Sequence, residues 1–238
     1  MPLQDADLLF REGRLDDAIA ALGDSLREDP SDGRARMFLV ELLCFAGEFE
    51  RARRLLEGVS LTDPELLMGV GAFQSGLSAL MERAEMFGSG NLPETDGELS
   101  DVTGTLNGNP FESLRDGDPR LGPRFEAIVN GAYTWIPMRH VARLSAEAPA
   151  RLRDLFWITA EVQFAEEVGG QLNDIILPAM TAEAPSDSDD QVRLGRVTAW
   201  VELESGEEIP LGQKLLVAGG EEVSLLEVRE IVISQPGD

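Results

Sequence analysis

Histidine, cysteine and lysine are nearly absent from this chain: His140, Cys44 and Lys214 are the single residues of each kind. One cysteine allows no internal disulfide framework and no thiolate cluster for zinc, and one histidine allows no paired-imidazole site. No metal and no other cofactor is therefore expected. Long apolar runs are missing too, since nothing in the sequence approaches the roughly 18 apolar residues of a membrane span. The first residues, Met1-Pro2-Leu3-Gln4-Asp5, lack a cationic stretch followed by an apolar one, so a cytoplasmic protein is expected. Positive charge is also scarce, with 20 Lys+Arg against 44 Asp+Glu and a formal net charge of −24. Such a field repels a phosphate backbone and an anionic leaflet, which argues against nucleic acid and membrane as partners.

What the chain does have is a core and a repeat. Its 238 residues are 43% hydrophobic, enough for one large domain or two small ones. Gly13-Arg14-Leu15-Asp16-Asp17-Ala18 returns as Gly47-Glu48-Phe49-Glu50-Arg51-Ala52, at an offset of 34 residues. Asp29-Pro30 returns as Asp63-Pro64, and Leu22 as Leu56, at the same spacing, which is the tetratricopeptide period. Gly13 and Gly47 suit the reversal between two helices, and Ala18 and Ala52 suit their close approach. Leu15, Ile19, Leu22 and Leu26 form an apolar helical stripe, matched by Phe49, Leu55, Leu56 and Val59, with Pro30 and Pro64 expected to end each second helix. No full third repeat follows. Instead Leu66, Leu67, Val70, Phe73, Leu77, Leu80, Met81 and Ala84 predict one long helix over 65–87 that caps the pair, with glycines 69, 71 and 76 permitting close packing. These glycines are no phosphate loop, because no strand precedes them and no Gly-Lys-Ser/Thr follows.

The fold expected is thus α+β: an all-α, tetratricopeptide-like domain over 1–87, an acidic Gly/Pro-rich linker over 88–122, and a mainly antiparallel α+β domain over 123–238. The linker reading rests on turn signals such as Asn107-Gly108-Asn109-Pro110 and Asp116-Gly117-Asp118-Pro119, with seven acids and two arginines. Asn130-Gly131 between alternating segments predicts a hairpin over 125–137. Further strands are expected at 157–164, 175–180, 196–203, 208–211, 215–218 and 231–233, with short helices at 139–144 and 150–155. Tyr133, Trp135, Trp157 and Trp200 all fall in these strands, where core packing explains them first.

No catalytic constellation emerges. His140 has no nucleophile motif near it, Cys44 lies mid-helix, and the glutamate pairs 166–167, 207–208 and 221–222 have nothing to split their pKa values. Asp187, Asp189 and Asp190 lack the glycine and distal glutamate of a calcium loop, so residues 181–190 read as a solvated acidic loop. Stacked helix pairs do offer a concave face lined by their first helices, suited to a peptide or an amphipathic helix. Its inward positions would be Phe10, Arg11, Arg34, Met37, Glu41, Cys44 and Phe45.

Several segments together resemble the ImpE/TagJ (SciE-type) accessory proteins of bacterial type VI secretion. They are the short tetratricopeptide start, Asp116-Gly117-Asp118-Pro119-Arg120-Leu121-Gly122-Pro123, Val129-Asn130-Gly131-Ala132-Tyr133-Thr134-Trp135-Ile136-Pro137 and Leu152-Arg153-Asp154-Leu155-Phe156-Trp157. Leu194-Gly195-Arg196-Val197-Thr198-Ala199-Trp200, Leu211-Gly212-Gln213-Lys214 and Leu225-Leu226-Glu227-Val228-Arg229-Glu230 continue the pattern. The chain departs from that pattern at Ala199, where an acid is usual, and at Lys214, where arginine is common. The resemblance implies a non-enzymatic, cytoplasmic adaptor. Its implied partner is the small sheath subunit of the contractile tail, bound through an amino-terminal helix of that subunit, and it implies a part in recruiting a ClpV-type AAA+ ATPase. Two alternatives stand beside it: a general peptide-binding or chaperone module, and an enzyme with a site around His140, Asp154 and Arg196.

Overall fold

The computed structural model describes residues 2–57, 64–93, 101–203 and 206–235. Four helices, α1 (Pro2–Arg11), α2 (Leu15–Glu28), α3 (Gly33–Phe45) and α4 (Phe49–Glu57), form two hairpins, and α5 (Pro64–Ser89) follows as one long helix. Gly13 and Gly47 turn the hairpins with φ of +77° and +71°, a region that residues with a Cβ enter at a cost. Ala18 and Ala52 are fully buried where the helices meet, beside Leu15, Leu22, Leu39, Leu42 and Leu56. Asp32 caps α3 by accepting from the amides of Arg34 and Ala35. Pro30 does follow the end of α2, but Pro64 begins α5 rather than ending a helix, the usual place for a residue without an N–H. Val59 lies outside the described residues.

The remainder is a mainly antiparallel sheet domain. Its strands are β1 (Gly104–Leu106), β2 (Asn109–Phe111), β3 (Leu114–Asp116), β4 (Arg124–Val129), β5 (Ala132–Pro137), β6 (Val141–Ala146) and β7 (Trp157–Phe164). After β8 (Gln171–Pro178) come the short helix α6 (Asp190–Arg193), β9 (Thr198–Glu202), β10 (Glu208–Gly212), β11 (Leu215–Ala218), β12 (Glu221–Ser224) and β13 (Glu230–Ile233). Eight strands pair in the order β2-β1-β13-β6-β7-β8-β4-β5, β12-β11-β3 form a second small sheet, and β9 pairs with β10. The predicted hairpin is β4–β5, with Asn130 and Gly131 both at positive φ (52° and 81°), as a type I′ turn requires.

Three expectations fail here for identifiable reasons. Residues 104–116, expected as linker, hold β1, β2 and β3; Asn107-Gly108 closes a β1–β2 hairpin, and β1 pairs with β13 near the far end of the chain. Strands of three residues show no alternation that a sequence window can detect. The helix expected over 139–144 is a 3₁₀ turn at Met138–His140 followed by β6, whose Val141 and Leu144 are buried in the sheet. Trp200 is 41% exposed, because β9 belongs to a separate two-stranded hairpin and not to the main sheet.

Strand alternation sends side chains to two cores. Phe125, Ala127, Ile136, Ile158, Ala160, Ile175 and Leu177 pack on one face with Leu144, Leu225 and Ile231. Ile128, Tyr133, Trp157 and Ile176 point the other way and merge with the helical core through Phe73, Leu77, Leu80 and Phe87 of α5. Those four lie at helical spacing along one face of α5, and burying each contributes about 2 kcal/mol. Gly76 lets the Trp157 indole approach: a Cβ there would meet the ring at 2.8 Å. Gly69 and Gly71 face open space, so only Gly76 serves close packing, and its neighbour is a strand residue. Among the described residues no helix is long and apolar enough to cross a membrane.

Candidate partner-binding groove

An open groove of about 640 Å³ lies between α1 and α3. Leu3, Gln4, Asp7 and Phe10 line it from α1, Arg34, Met37, Phe38 and Glu41 from α3, and Leu152 from the 3₁₀ turn Leu152–Leu155. Phe10 and Phe38 meet edge to face at 6.0 Å. The Arg196 guanidinium sits 5.3 Å from the Phe10 ring and donates to the carbonyls of Phe10 (2.6 Å) and Arg11 (3.1 Å), placing positive charge at the C-terminus of α1.

Of the seven positions expected to face inward, Phe10, Arg34, Met37 and Glu41 line this groove. Arg11 is exposed outside it and pairs with Asp7 at 2.9 Å. Cys44 and Phe45 are corrections: they are 4% and 1% exposed and cannot line an open surface. The same stripe of α3 runs on from Glu41 to Phe45, but there the sheet domain covers it, and Phe45 packs edge to face on Phe156 at 5.3 Å. The Cys44 thiol donates to the Val40 carbonyl at 3.3 Å, and burial pushes its pKa well up, so it is an inert packing group. Leu3, Gln4, Asp7, Phe38 and Leu152 were not anticipated. Positions 3 and 7 share the helical face of Phe10 on α1, a signal for Leu3 and Asp7 but not for Gln4, whereas Leu152 comes from a distant segment.

Glu41 is half-buried, and burial raises its carboxyl pKa to about 7; Arg153 and Arg151 pull it down and Asp154 pushes it up. Burial thus disfavours its ionised form, which has no close cation in the groove.

A buried charge network fastens α5 to the sheet domain. Arg83 of α5 donates Nε and Nη2 to Glu126 of β4 at 2.6 and 2.8 Å, and Nη2 also to the Met180 carbonyl at 3.0 Å. Lys214 bridges Glu126 and Asp116, the latter at 2.8 Å. The Tyr133 hydroxyl donates to Glu126 and accepts from Trp135 Nε1 at 2.6 Å. Arg83, Asp116, Glu126 and Lys214 are each at most 5% exposed, and their charges cancel. Burial alone would push Glu126 up, but Arg83 and Lys214 outweigh it and hold the carboxyl far below its ordinary range. Burial raises Asp116 to about 6, with Lys214 opposing and Glu126 adding to the rise. Lys214, one of the two departures from the family pattern, therefore fills a structural site, while Ala199 is a half-buried strand residue opposite Leu211.

The segment expected as a solvated acidic loop is instead ordered against the helical hairpins. Asp189 caps α6 by accepting from Gln191 N, and Asp190 accepts from the Leu15 amide at 2.8 Å, capping α2 from a distance of 175 residues. Arg193 pairs with both Asp16 and Asp190. The positions considered for catalysis do not converge. His140 Nε2 accepts from Arg139, Arg196 holds α1, and Asp154 caps its own 3₁₀ turn beside a separate polar hollow of about 570 Å³.

Paired helical hairpins, an open groove on their first helices and a sheet domain packed against them define a scaffold of the tetratricopeptide class. The sequence patterns agree: the tetratricopeptide repeat matches residues 9–67, and the ImpE protein family matches residues 108–232. A curated relative, the type VI secretion system accessory component TagJ of Pseudomonas aeruginosa PAO1, is 36% identical over 259 residues, covering 95% of this chain and 90% of that protein. The chain belongs to the ImpE family. Its fold matches the crystal structure of protein VPA1032 from Vibrio parahaemolyticus, with a TM-score of 0.85 at 20% identity over 97% of this chain and 98% of that one.

Proposed function

We propose that this protein is a non-enzymatic, cytoplasmic accessory component of a bacterial type VI secretion system. In this reading it binds the small sheath subunit of the contractile tail by taking an amino-terminal helix of that subunit into the α1–α3 groove, and it assists recruitment of the ClpV-type ATPase to the sheath. The observation that carries the reading is the groove itself, open at about 640 Å³ and floored by Leu3, Phe10, Met37 and Phe38, half-buried apolar groups with room for one helix face. The family membership and the named role of the Pseudomonas relative supply the system.

Pull-down of the small sheath subunit from the same organism tests it. The intact protein recovers the subunit, and Leu3→Glu and Met37→Glu each lose it. These positions are preferable to Phe45, whose substitution would disturb the core. A general peptide-binding module is the other reading, because the groove's apolar floor is not by itself selective. Competition with unrelated amphipathic helices separates the two: a dedicated adaptor keeps its sheath subunit, and a general one releases it.

A further inference from the structure

The groove carries a charge pattern as well as an apolar floor. Arg34 and Glu41 both line it from α3. They are seven residues apart, so they share one face nearly two turns apart, about 10 Å along the axis. Met37 and Phe38 lie between them. Among the described residues neither Arg34 nor Glu41 makes a hydrogen bond or ion pair through its side chain.

Asp7, Asp154 and Arg153, three of the other charges around Glu41, have partners elsewhere. Asp7 on α1 is held by Arg11 at 2.9 Å. On the 3₁₀ turn, Asp154 accepts from the amides of Ala150 and Arg151, and Arg153 lies 3.6 Å from Asp154. Arg151 and Arg153 act on Glu41 only at long range, too weakly to offset its burial. A half-buried carboxylate without a partner weakens any complex that leaves it unpaired and strengthens one that brings a cation to it.

We propose that the groove selects its helix by charge order: a basic side chain comes to rest against Glu41, and an acidic one, seven residues away on the same ligand face, against Arg34, with apolar residues between. This rests on the groove being the binding site. The occupant is an amphipathic partner helix with that one dipolar face. For a given docking direction, a helix with the opposite order places like charges together at both ends and is disfavoured, which is how a surface of modest area discriminates. The formal charge of −24 on the whole chain favours encounter with a ligand that is basic overall, whereas the Arg34–Glu41 pair sets its orientation along α3.

The test is a selection from a displayed library of amphipathic helices of about 20 residues, with the apolar stripe fixed and the flanking positions varied among Lys, Glu and Gln. The intact chain enriches helices with a base and an acid seven residues apart, and the Arg34→Glu/Glu41→Arg double variant enriches the reverse order. Glu41→Gln, the milder change, loses the preference for the base alone. It weakens the best wild-type peptide about tenfold or more, while the same peptide with its base changed to Gln binds both proteins equally. Helices enriched without any charge order, or the same order from every variant, overturn the inference and leave the groove standing. No enrichment by any of the proteins removes the groove reading and the inference with it.

Discussion

Arg83 and Glu126 form a two-point ion pair, 2.6 and 2.8 Å long, between the long helix α5 and strand β4, with almost no solvent access on either side. It joins the helical hairpins to the sheet. Lys214 on the far side of Glu126 makes the arrangement a chain of alternating charges ending at Asp116. A pair of this kind adds little over apolar packing, but breaking it strands a charge in the core.

Glu126→Gln therefore leaves Arg83 and Lys214 without their shared anion and costs about 3–5 kcal/mol in urea unfolding. The sign with pH follows from the depressed Glu126 pKa. Its stabilisation is present above the ordinary carboxylate range and is lost as pH falls through the folded-state value, so the intact protein loses stability on acidification and Glu126→Gln loses less.

Glu41 behaves in the opposite way. Its folded-state pKa, raised to about 7, means that the folded chain holds a proton the unfolded chain releases, so this group lowers stability as pH rises from about 4.5 to 7. Glu41→Gln raises stability at about pH 8 by roughly 1–2 kcal/mol, solvent screening of the partly exposed carboxyl reducing the effect, and leaves it nearly unchanged at about pH 4.5, as measured by denaturant unfolding at the two values. A residue kept at that cost is consistent with a role in binding.

Two glycines of α5 give a matched pair. A methyl at Gly76 meets the Trp157 ring at 2.8 Å, and Gly76→Ala lowers stability by about 1–3 kcal/mol. Gly71 has nothing within 4 Å, and Gly71→Ala raises stability by about 0.5–1 kcal/mol through helix propensity alone. Thermal unfolding of the two variants checks both signs.

The contact between Asp190 and the Leu15 amide ties the α6 segment to the first helical hairpin. Asp190→Ala removes that cap and a partner of Arg193, at a cost of about 1 kcal/mol. Hydrogen exchange shows the loss as faster exchange in the first turn of α2.

The parts of this structure that local chemistry encodes were legible. The 34-residue repeat placed Gly13, Gly47, Ala18 and Ala52 at the turns and contacts of the two hairpins, and Asn130-Gly131 marked its hairpin. What distant segments build was not. β1 is three residues long and owes its place to β13, the α2 cap arrives from Asp190, and Leu152 joins the groove from the sheet domain. The α3 stripe runs unbroken to Phe45 in the sequence, and nothing local announces that another domain covers its second half. Arg83 gave a faint signal, a lone cation on an apolar helix face with Phe73, Leu77, Leu80 and Phe87, but its partners are 43 or more residues away.

Calorimetric titration of the small sheath subunit into the intact protein and into Met37→Glu tests the central claim most directly. The account predicts saturable binding by the intact chain and at least a tenfold loss in the variant, with unchanged unfolding of the variant alone. Equal affinity for both proteins, or no heat of binding to the intact chain, contradicts it.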